Sequence, residues 1–289
     1  MPSGSDCAGR SAAWLARLPW EQEVTSSNLV APIPCVVFQA GMPVVPCFAT
    51  GVTEGACELM NETAEAKLRA ARAAADLVET DMVVGLGSGS TAGLVVQRLG
   101  ERVREEGLKI LGVPTSVHTA ILAKEARILL RDVDDFAALD FDIDGADEVD
   151  PEFRMIKGRG GALLREKIVA RASKRRVIVV TPEKRVNTLG LGAPVPVEIS
   201  PVGVRHIETW LRDLGADTTL RLRADQSPYR TDGGNMIVDC RFPGIADPVA
   251  LDAAIQRTVG VYESGLFLGL CDLLVVGGPD GVEMIETFG

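Results

Sequence analysis

The segment Leu139-Asp-Phe-Asp-Ile-Asp144-Gly-Ala-Asp147-Glu-Val-Asp150 joins an alternating apolar and acidic run to an acidic turn. Leu139, Phe141 and Ile143 alternate with Asp140, Asp142 and Asp144, the period of two expected of a half-buried strand. Such a strand delivers Asp144 and Asp147 to its carboxyl end, where open α/β sheets bind their ligands. Lys157 and Glu166 follow on either side of a glycine-rich turn with Gly158, Gly160 and Gly161, a backbone able to approach a ligand closely. A second apolar strand, Arg176 to Thr181, closes this unit.

Upstream, Met82 to Val84 reads as a short strand, and Gly85-Leu-Gly-Ser-Gly-Ser-Thr91 as a loop into a helix through Ala92 to Arg104. A glycine loop before a helix N-terminus turns unpaired amides and the positive end of the helix dipole toward one point, so it suits an anion. A dinucleotide fingerprint would need a third glycine where Ser90 stands, and a Walker loop would need a lysine there. The next strand, Lys109 to Val113, ends in Pro114-Thr115-Ser116 with no acid for a ribose. Taken alone, the loop also fits a tight strand-to-helix turn with no ligand.

Farther upstream, Asn61 and Thr63 are expected to cap an amphipathic helix on which Leu68, Ala71, Ala75 and Val78 form the apolar face. A helix at Thr119 to Glu125 and a strand at Ile128 to Leu130 complete an alternation of strands and helices, which implies a three-layer α/β domain around a parallel sheet. After Pro194 the rhythm becomes strand Val195 to Ile199, helix Val204 to Leu214, strand Thr218 to Leu222, turn Thr231 to Asn235 and strand Met236 to Cys240. A helix opened by Asp247-Pro248 and a strand Val261 to Ser264 follow, giving the β-α-β-β-α-β order of a ferredoxin-like domain. The chain then returns to a buried strand, Leu273 to Val276. The expected organisation is a Rossmann-like domain, 59–190 and 266–289, with a smaller α+β domain, 191–265, inserted.

Residues 1 to 58 carry Pro, Ser, Gly and four cysteines in no periodic order. They are expected to be a poorly ordered extension, with Met60 the natural initiator. They fit a secretory signal badly, and an organellar transit peptide stays open. Across 289 residues, 46% are hydrophobic and the formal charge is −10, which disfavours nucleic acid or an anionic membrane as the main partner. No run reaches the length of a membrane span. Six cysteines without a Cys-x-x-Cys pair, and only His118 and His206, make a zinc or redox site unlikely; no metal and no cofactor is expected. Cys240 and Cys271 read as small core hydrophobes.

The pieces VGLGSGST, DGADEVD, KGRGGALLREKIV, PVEISP, GLFLGL and GPDGVEMI, in this order from about Asn61 to the C-terminus, resemble the A-type ribose-5-phosphate isomerases. The resemblance implies a cytoplasmic enzyme of carbohydrate metabolism in the non-oxidative pentose phosphate pathway, a homodimer or homotetramer acting on a sugar phosphate without metal. It further implies Glu166 as general base, Asp144 and Asp147 as handlers of hydroxyl protons, and Lys157 as the stabiliser of negative oxygen. The loop Ser88, Gly89, Ser90 and Thr91, the pair Gly145 and Ala146, the segment Gly158, Arg159 and Gly160, and Lys184 would hold substrate. The resemblance does not divide these between phosphate and sugar hydroxyls, and it leaves the Arg159 side chain pointing away from the reacting carbons.

The chemistry agrees with those residue types. Moving a carbonyl from C1 to C2 needs a base for the C2 proton, groups that stabilise an enediolate and a proton shuttle between two oxygens; carboxylates and a lysine supply all three. Burial is expected to raise the pKa of Glu166, with Lys157 limiting the rise. Taken singly, Glu166 reads as a solvated helix glutamate, Asp147 as a turn former, Lys184 as a surface lysine, and His118 and His206 as surface or packing residues. A sugar-phosphate sensor and an acyl-CoA or dinucleotide enzyme stay open as other classes, separable by turnover and by nucleotide-dependent stabilisation.

Overall fold

Residues 54–287 are described in the computed structural model. The expectation of a poorly ordered extension therefore lies, for residues 1–53, outside the described residues. Residues 54–58 already belong to helix α1, Glu54–Asp76, so Asn61 and Thr63 sit inside a helix instead of capping it. The buried face of α1 is built of alanines, Ala66, Ala70, Ala71, Ala74 and Ala75, whereas Leu68 points outward. Small side chains let the helix lie directly on the sheet: a Cβ on Gly277 would collide with the Ala66 carbonyl.

The chain continues through β1 (Val83–Leu86), α2 (Ser90–Glu105), β2 (Leu111–Pro114), α3 (Val117–Glu125), β3 (Leu129–Leu130) and β4 (Leu139–Gly145). Gly85 and Leu86 thus belong to the strand, and the glycine loop begins at Gly87. Two short strands, β5 (Glu148–Val149) and β6 (Met155–Ile156), precede α4 (Leu163–Ala172) and β7 (Ser173–Val180). Next come β8 (Val195–Ile199), α5 (Val204–Asp213), β9 (Asp217–Leu220), β10 (Met236–Arg241), α6 (Pro248–Gln256) and β11 (Val261–Ser264). Finally β12 (Leu266–Phe267), β13 (Leu273–Gly278) and β14 (Gly281–Glu286) bring the chain back.

The main sheet runs β14-β13-β7-β4-β1-β2-β3, parallel except for the antiparallel edge strand β14. From β1 the chain steps outward to β2 and β3, then crosses back to β4 on the other side of β1. The strand order therefore reverses between β1 and β4, and the crevice of such a sheet opens there, beyond the carboxyl ends of these two strands. One face carries a core shared by α1, α2, Phe141, Ile143, Val177 and Val179. The other is covered by α4, whose Leu163 and Ala170 pack with Ile178 and Val180.

That second cover corrects the reading of β4 as half-buried. Asp142 and Asp144 are 2% and 1% exposed, so both faces of the strand are enclosed and the acidic face looks into the protein. Periodicity alone cannot distinguish carboxylates facing water from carboxylates facing a site, because both alternate with the core residues.

The strands β8 to β11 form a separate antiparallel sheet, β11-β8-β10-β9, with α5 and α6 crossing between its strands and a core of its own around Val197, Ile199, Ile207, Leu211 and Val238. This is the β-α-β-β-α-β order expected of the sequence, and the overall fold is Rossmann-like α/β with a ferredoxin-like insertion. Asp247 caps α6 by accepting from the Ala250 amide, with Pro248 at the first helical position as predicted. A third sheet, β12-β6-β5, joins the insertion to the end of the loop that carries Lys157. Cys240 and Cys271 are buried free thiols, both pushed up to about 12 by burial, as small core residues should be. Among the described residues no helix is long and apolar enough to cross a membrane.

Candidate active site

Asp144 is the last full step of β4 before the chain turns, and three groups fix its carboxylate. Oδ1 accepts from the Ser88 amide at 3.1 Å and the Gly145 amide at 2.7 Å, and Oδ2 accepts from Lys157 Nζ at 2.8 Å. Room for this face comes from β1. A Cβ on Gly87 would collide with the Asp144 carboxyl, and one on Gly85 would lie 2.7 Å from Asp142 Oδ1. The first glycines of the VGLGSGST motif therefore admit carboxylates, leaving Gly89 to shape the loop itself.

Lys157 follows β6 and is 4% exposed. Its amide donates to Gly265 O at 2.9 Å, and its ammonium donates to Asp144 and, at 2.6 Å, to the Gly145 carbonyl. Glu166, in the first turn of α4 and also 4% exposed, brings Oε2 to 3.3 Å from the same ammonium. This last approach is an ion-pair contact without hydrogen-bond alignment, since Oε2 has no hydrogen-bond partner. The solvated-glutamate reading of Glu166 is thus replaced by a buried one, which pairwise spacing in a helix could not reveal.

The electrostatics follow from the burial. The Glu166 carboxyl is pushed up to about 8 by desolvation, against the pull of Lys157 and with a further push from Asp144. Burial alone would lower Lys157, but Asp144 and Glu166 overcome it and hold the ammonium charged above its ordinary range. Asp142, one step deeper on the same face, is raised well above the carboxylate range by burial and then by the charge of Asp144. A cation thus lies between one carboxylate that is fully hydrogen-bonded and another that exchanges its proton near neutrality.

The remaining predicted substrate-binding residues lie in or just after the loops that follow β1, β4, β6 and β7. Asp147 is half-buried, and its Oδ2 accepts from the Arg159 amide at 3.0 Å, so it ties the 145–147 turn to the glycine segment. Arg159 and Gly160 are exposed, and Gly158 adopts a φ of 101° that favours glycine. Gly145 and Ala146 form the turn between the two aspartates and are half-buried. Gly89, at φ 98°, precedes α2, and no side chain caps that helix, so Ser90 and Thr91 open it with free amides at the carboxyl end of β1. Ser88 sits deeper. Lys184, half-buried, follows β7, the sheet neighbour of β4, in a 3-10 turn, Pro182–Lys184, whose other two residues are exposed. His118 and His206 are exposed, His206 lying against Trp210.

Several residues escaped the sequence reading. Thr115, Ser116 and Thr119 surround the Ser88 hydroxyl at 2.8, 2.8 and 3.2 Å. The Pro-Thr-Ser end of β2 could have signalled this, since it occupies the same rim as the glycine loop. Arg221 donates to the carbonyls of Gly158 and Arg159, Tyr229 donates to Gly160 O, and Asp232 accepts from the Val117 amide. These residues, more than 60 positions from the segment they hold, left no local signal. Among the described residues no group of three or more His, Cys, Asp or Glu side chains converges as metal ligands.

Comparison with known proteins gives a consistent result. A family model described as ribose 5-phosphate isomerase A (phosphoriboisomerase A) matches residues 111–281. The ribose-5-phosphate isomerase A of Thermomicrobium roseum is 51% identical over 225 residues, covering 78% of this chain and 94% of that protein. That of Gloeobacter violaceus is 49% identical over 220 residues, 76% of this chain and 95% of its own. Among solved structures, ribose 5-phosphate isomerase A of Methanocaldococcus jannaschii matches with a TM-score of 0.75 at 38% identity, covering 78% of this chain and 100% of that one. A D-ribose-5-phosphate isomerase in complex with phospho-erythronic acid matches with a TM-score of 0.76 at 37% identity, covering 78% and 99%.

Proposed function

Because the chain belongs to the ribose 5-phosphate isomerase A family and interconverts D-ribose 5-phosphate and D-ribulose 5-phosphate, we propose that the buried cluster of Asp144, Lys157 and Glu166 carries the proton transfers. Glu166, ionised, takes the proton from C2 of the open-chain aldose. The electron pair left on carbon forms the C1–C2 double bond, and the former C1 carbonyl oxygen becomes negative. Lys157, already charged and aimed by Asp144, stabilises that oxygen. Glu166 then returns the proton to C1, and a proton moved between the O2 and O1 hydroxyls completes the ketose. Asp144 and Asp147 border this path and are assigned the hydroxyl protons, including ring opening.

The free amides of Ser90 and Thr91 at the start of α2 are assigned the phosphate, with Gly89 giving it close approach. Ser88, the Gly145-Ala146 turn, Gly158 to Gly160 and Lys184 line the rest of the substrate path. The solved relative with phospho-erythronic acid supports this reading by its chemistry, since that ligand joins a phosphate to a carboxylate, a flat anion as an enediolate is. We read 59–190 with 266–289 as the catalytic domain and 191–265 as the insertion, supported by the separate core of the small sheet. A cytoplasmic homodimer or homotetramer completes the reading; exposed Val202, Trp210 and Val259 supply apolar surface for a second copy.

The observation that carries the mechanism is one ammonium within 2.8 Å of Asp144 and 3.3 Å of a buried Glu166. Its test is turnover of ribose 5-phosphate in excess EDTA beside Glu166→Gln. A positioned base contributes about 10²- to 10⁴-fold, so the substitution is expected to remove activity on that scale while EDTA leaves the wild type unchanged. Turnover lost to EDTA, or near-normal turnover by a folded Glu166→Gln, would refute it.

A further inference from the structure

The GLFLGL motif takes no part in the chemistry above, yet its first residues lie directly behind it. Gly265 accepts the Lys157 amide through its carbonyl and donates to Pro196 O at 2.7 Å; a Cβ at this glycine would collide with the Lys157 carbonyl. Phe267, 1% exposed, pairs in register with Met155 of β6. Its ring has the Lys157 ammonium 5.2 Å from its centroid and a second ammonium, Lys167, at 4.8 Å. Lys167 is the residue after Glu166. It is 6% exposed, and its Nζ donates at 2.8 Å to each of Glu263 Oε1, Ser264 O and Leu266 O.

Resting on the assignment of Glu166 and Lys157 above, we propose that Lys167 and Phe267 are positioning residues that fix the base and the cation relative to one another through the 263–267 segment. Three acceptors on one short segment determine where Lys167 sits, and with it the first turn of α4 that presents Glu166. The Phe267 ring attracts both ammoniums, so it helps to hold Lys157, which Asp144 and Glu166 also contact. The segment is itself secured to the inserted sheet and to α6, where Ser264 and Glu263 contact Asp252 and Gln256. The Lys167 ammonium directs its three donors to the 263–266 segment, and Phe267 has no proton to transfer, so neither is assigned a chemical step. The charged groups facing Lys167 are Glu263 on β11, Asp252 on α6 and Arg171 on α4; those facing Glu166 are Lys157, Asp144 and Asp142 on β4, and Asp147 in the turn after it. Loss of Lys167 therefore acts on Glu166 through position.

The test uses the full chain carrying Phe267→Leu, Lys167→Gln or Lys167→Arg, with fold checked by circular dichroism and kcat, KM and the pH profile of kcat/KM measured beside Glu166→Gln. Misplacement by about 1 Å can cost on the order of 10²-fold, so kcat is expected to fall toward that extent in Phe267→Leu and Lys167→Gln with KM little changed. The acid limb of the profile moves to higher pH, because Lys157 no longer rests against Glu166, and Lys167→Arg recovers part of the loss. If Lys167→Gln does not fold, Phe267→Leu decides. A folded Phe267→Leu with wild-type kcat and acid limb overturns the proposal while an inactive Glu166→Gln leaves the base assignment standing. An active Glu166→Gln removes both.

Discussion

Two clusters of opposite charge in this molecule contain the same ingredients and do different work. Between α1 and α2, Arg98 meets Asp76 at 3.1 Å, Glu106 at 3.0 Å and Glu101 at 3.4 Å, and Arg102 meets Glu106 at 2.8 Å. There Asp76 and Glu106 have side chains 52% and 44% exposed. Beyond β4, the Asp144, Lys157 and Glu166 side chains are between 1% and 5% exposed. The exposed network has more pairs, at 2.8–3.4 Å against 2.8 and 3.3 Å in the buried cluster, but water screens each of them. The buried cluster has fewer contacts, and desolvation makes one of its carboxyls exchange a proton where chemistry needs it. Burial, and not the count of ion pairs, separates a site from a surface.

The largest consequence is expected at Lys157. Lys157→Met leaves Asp144 and Glu166 buried without their cation, and breaking a buried pair in this way costs about 3–5 kcal/mol. Denaturant unfolding should show a loss of that order together with lost turnover; a variant as stable as wild type would show that the cluster is more solvated than its geometry implies.

Linkage gives a second contrast. Glu166 holds its proton to about 8 in the folded chain against 4.5 unperturbed, so across that interval the folded state binds more protons than the unfolded chain. Its stabilising contribution is complete below 4.5 and is lost as pH rises through about 8. Glu166→Gln should flatten this part of the decline when unfolding is followed at both ends of the interval. Parallel curves for the two proteins would place the Glu166 carboxyl in an ordinary environment.

The smallest effect belongs to the surface. Arg98→Ala is expected to cost roughly 0.2–1 kcal/mol, less in high salt, with kcat unchanged. A larger loss that salt does not reduce would erase the distinction between the clusters.

Much of this contrast was legible in the sequence. The strand-and-helix alternation, the turn at Thr231 to Asn235 and the Asp247-Pro248 cap are local signals, and these were realised. Asp144, Lys157 and Glu166 were gathered by resemblance and by their glycine-rich setting, and the fold does bring them together. What stayed hidden was environment. The acidic face of β4 could not be told from a solvated one, and the roles of Gly85 and Gly87 depended on carboxylates more than 50 positions away. The helix start was misjudged because Asn61 and Thr63 are good caps in isolation, yet helix α1 continues through them. Arg221, Tyr229 and Lys167 act through carbonyls, which have no sequence signature.

The most direct test of the buried base is hydrogen exchange at C2 of ribose 5-phosphate in deuterated water, compared between wild type and a folded Glu166→Gln. Isomerisation and C2 exchange are expected in the wild type, with both lost together in the variant. A Glu166→Gln protein that still exchanged the C2 hydrogen at the wild-type rate would contradict this and assign the base elsewhere in the site.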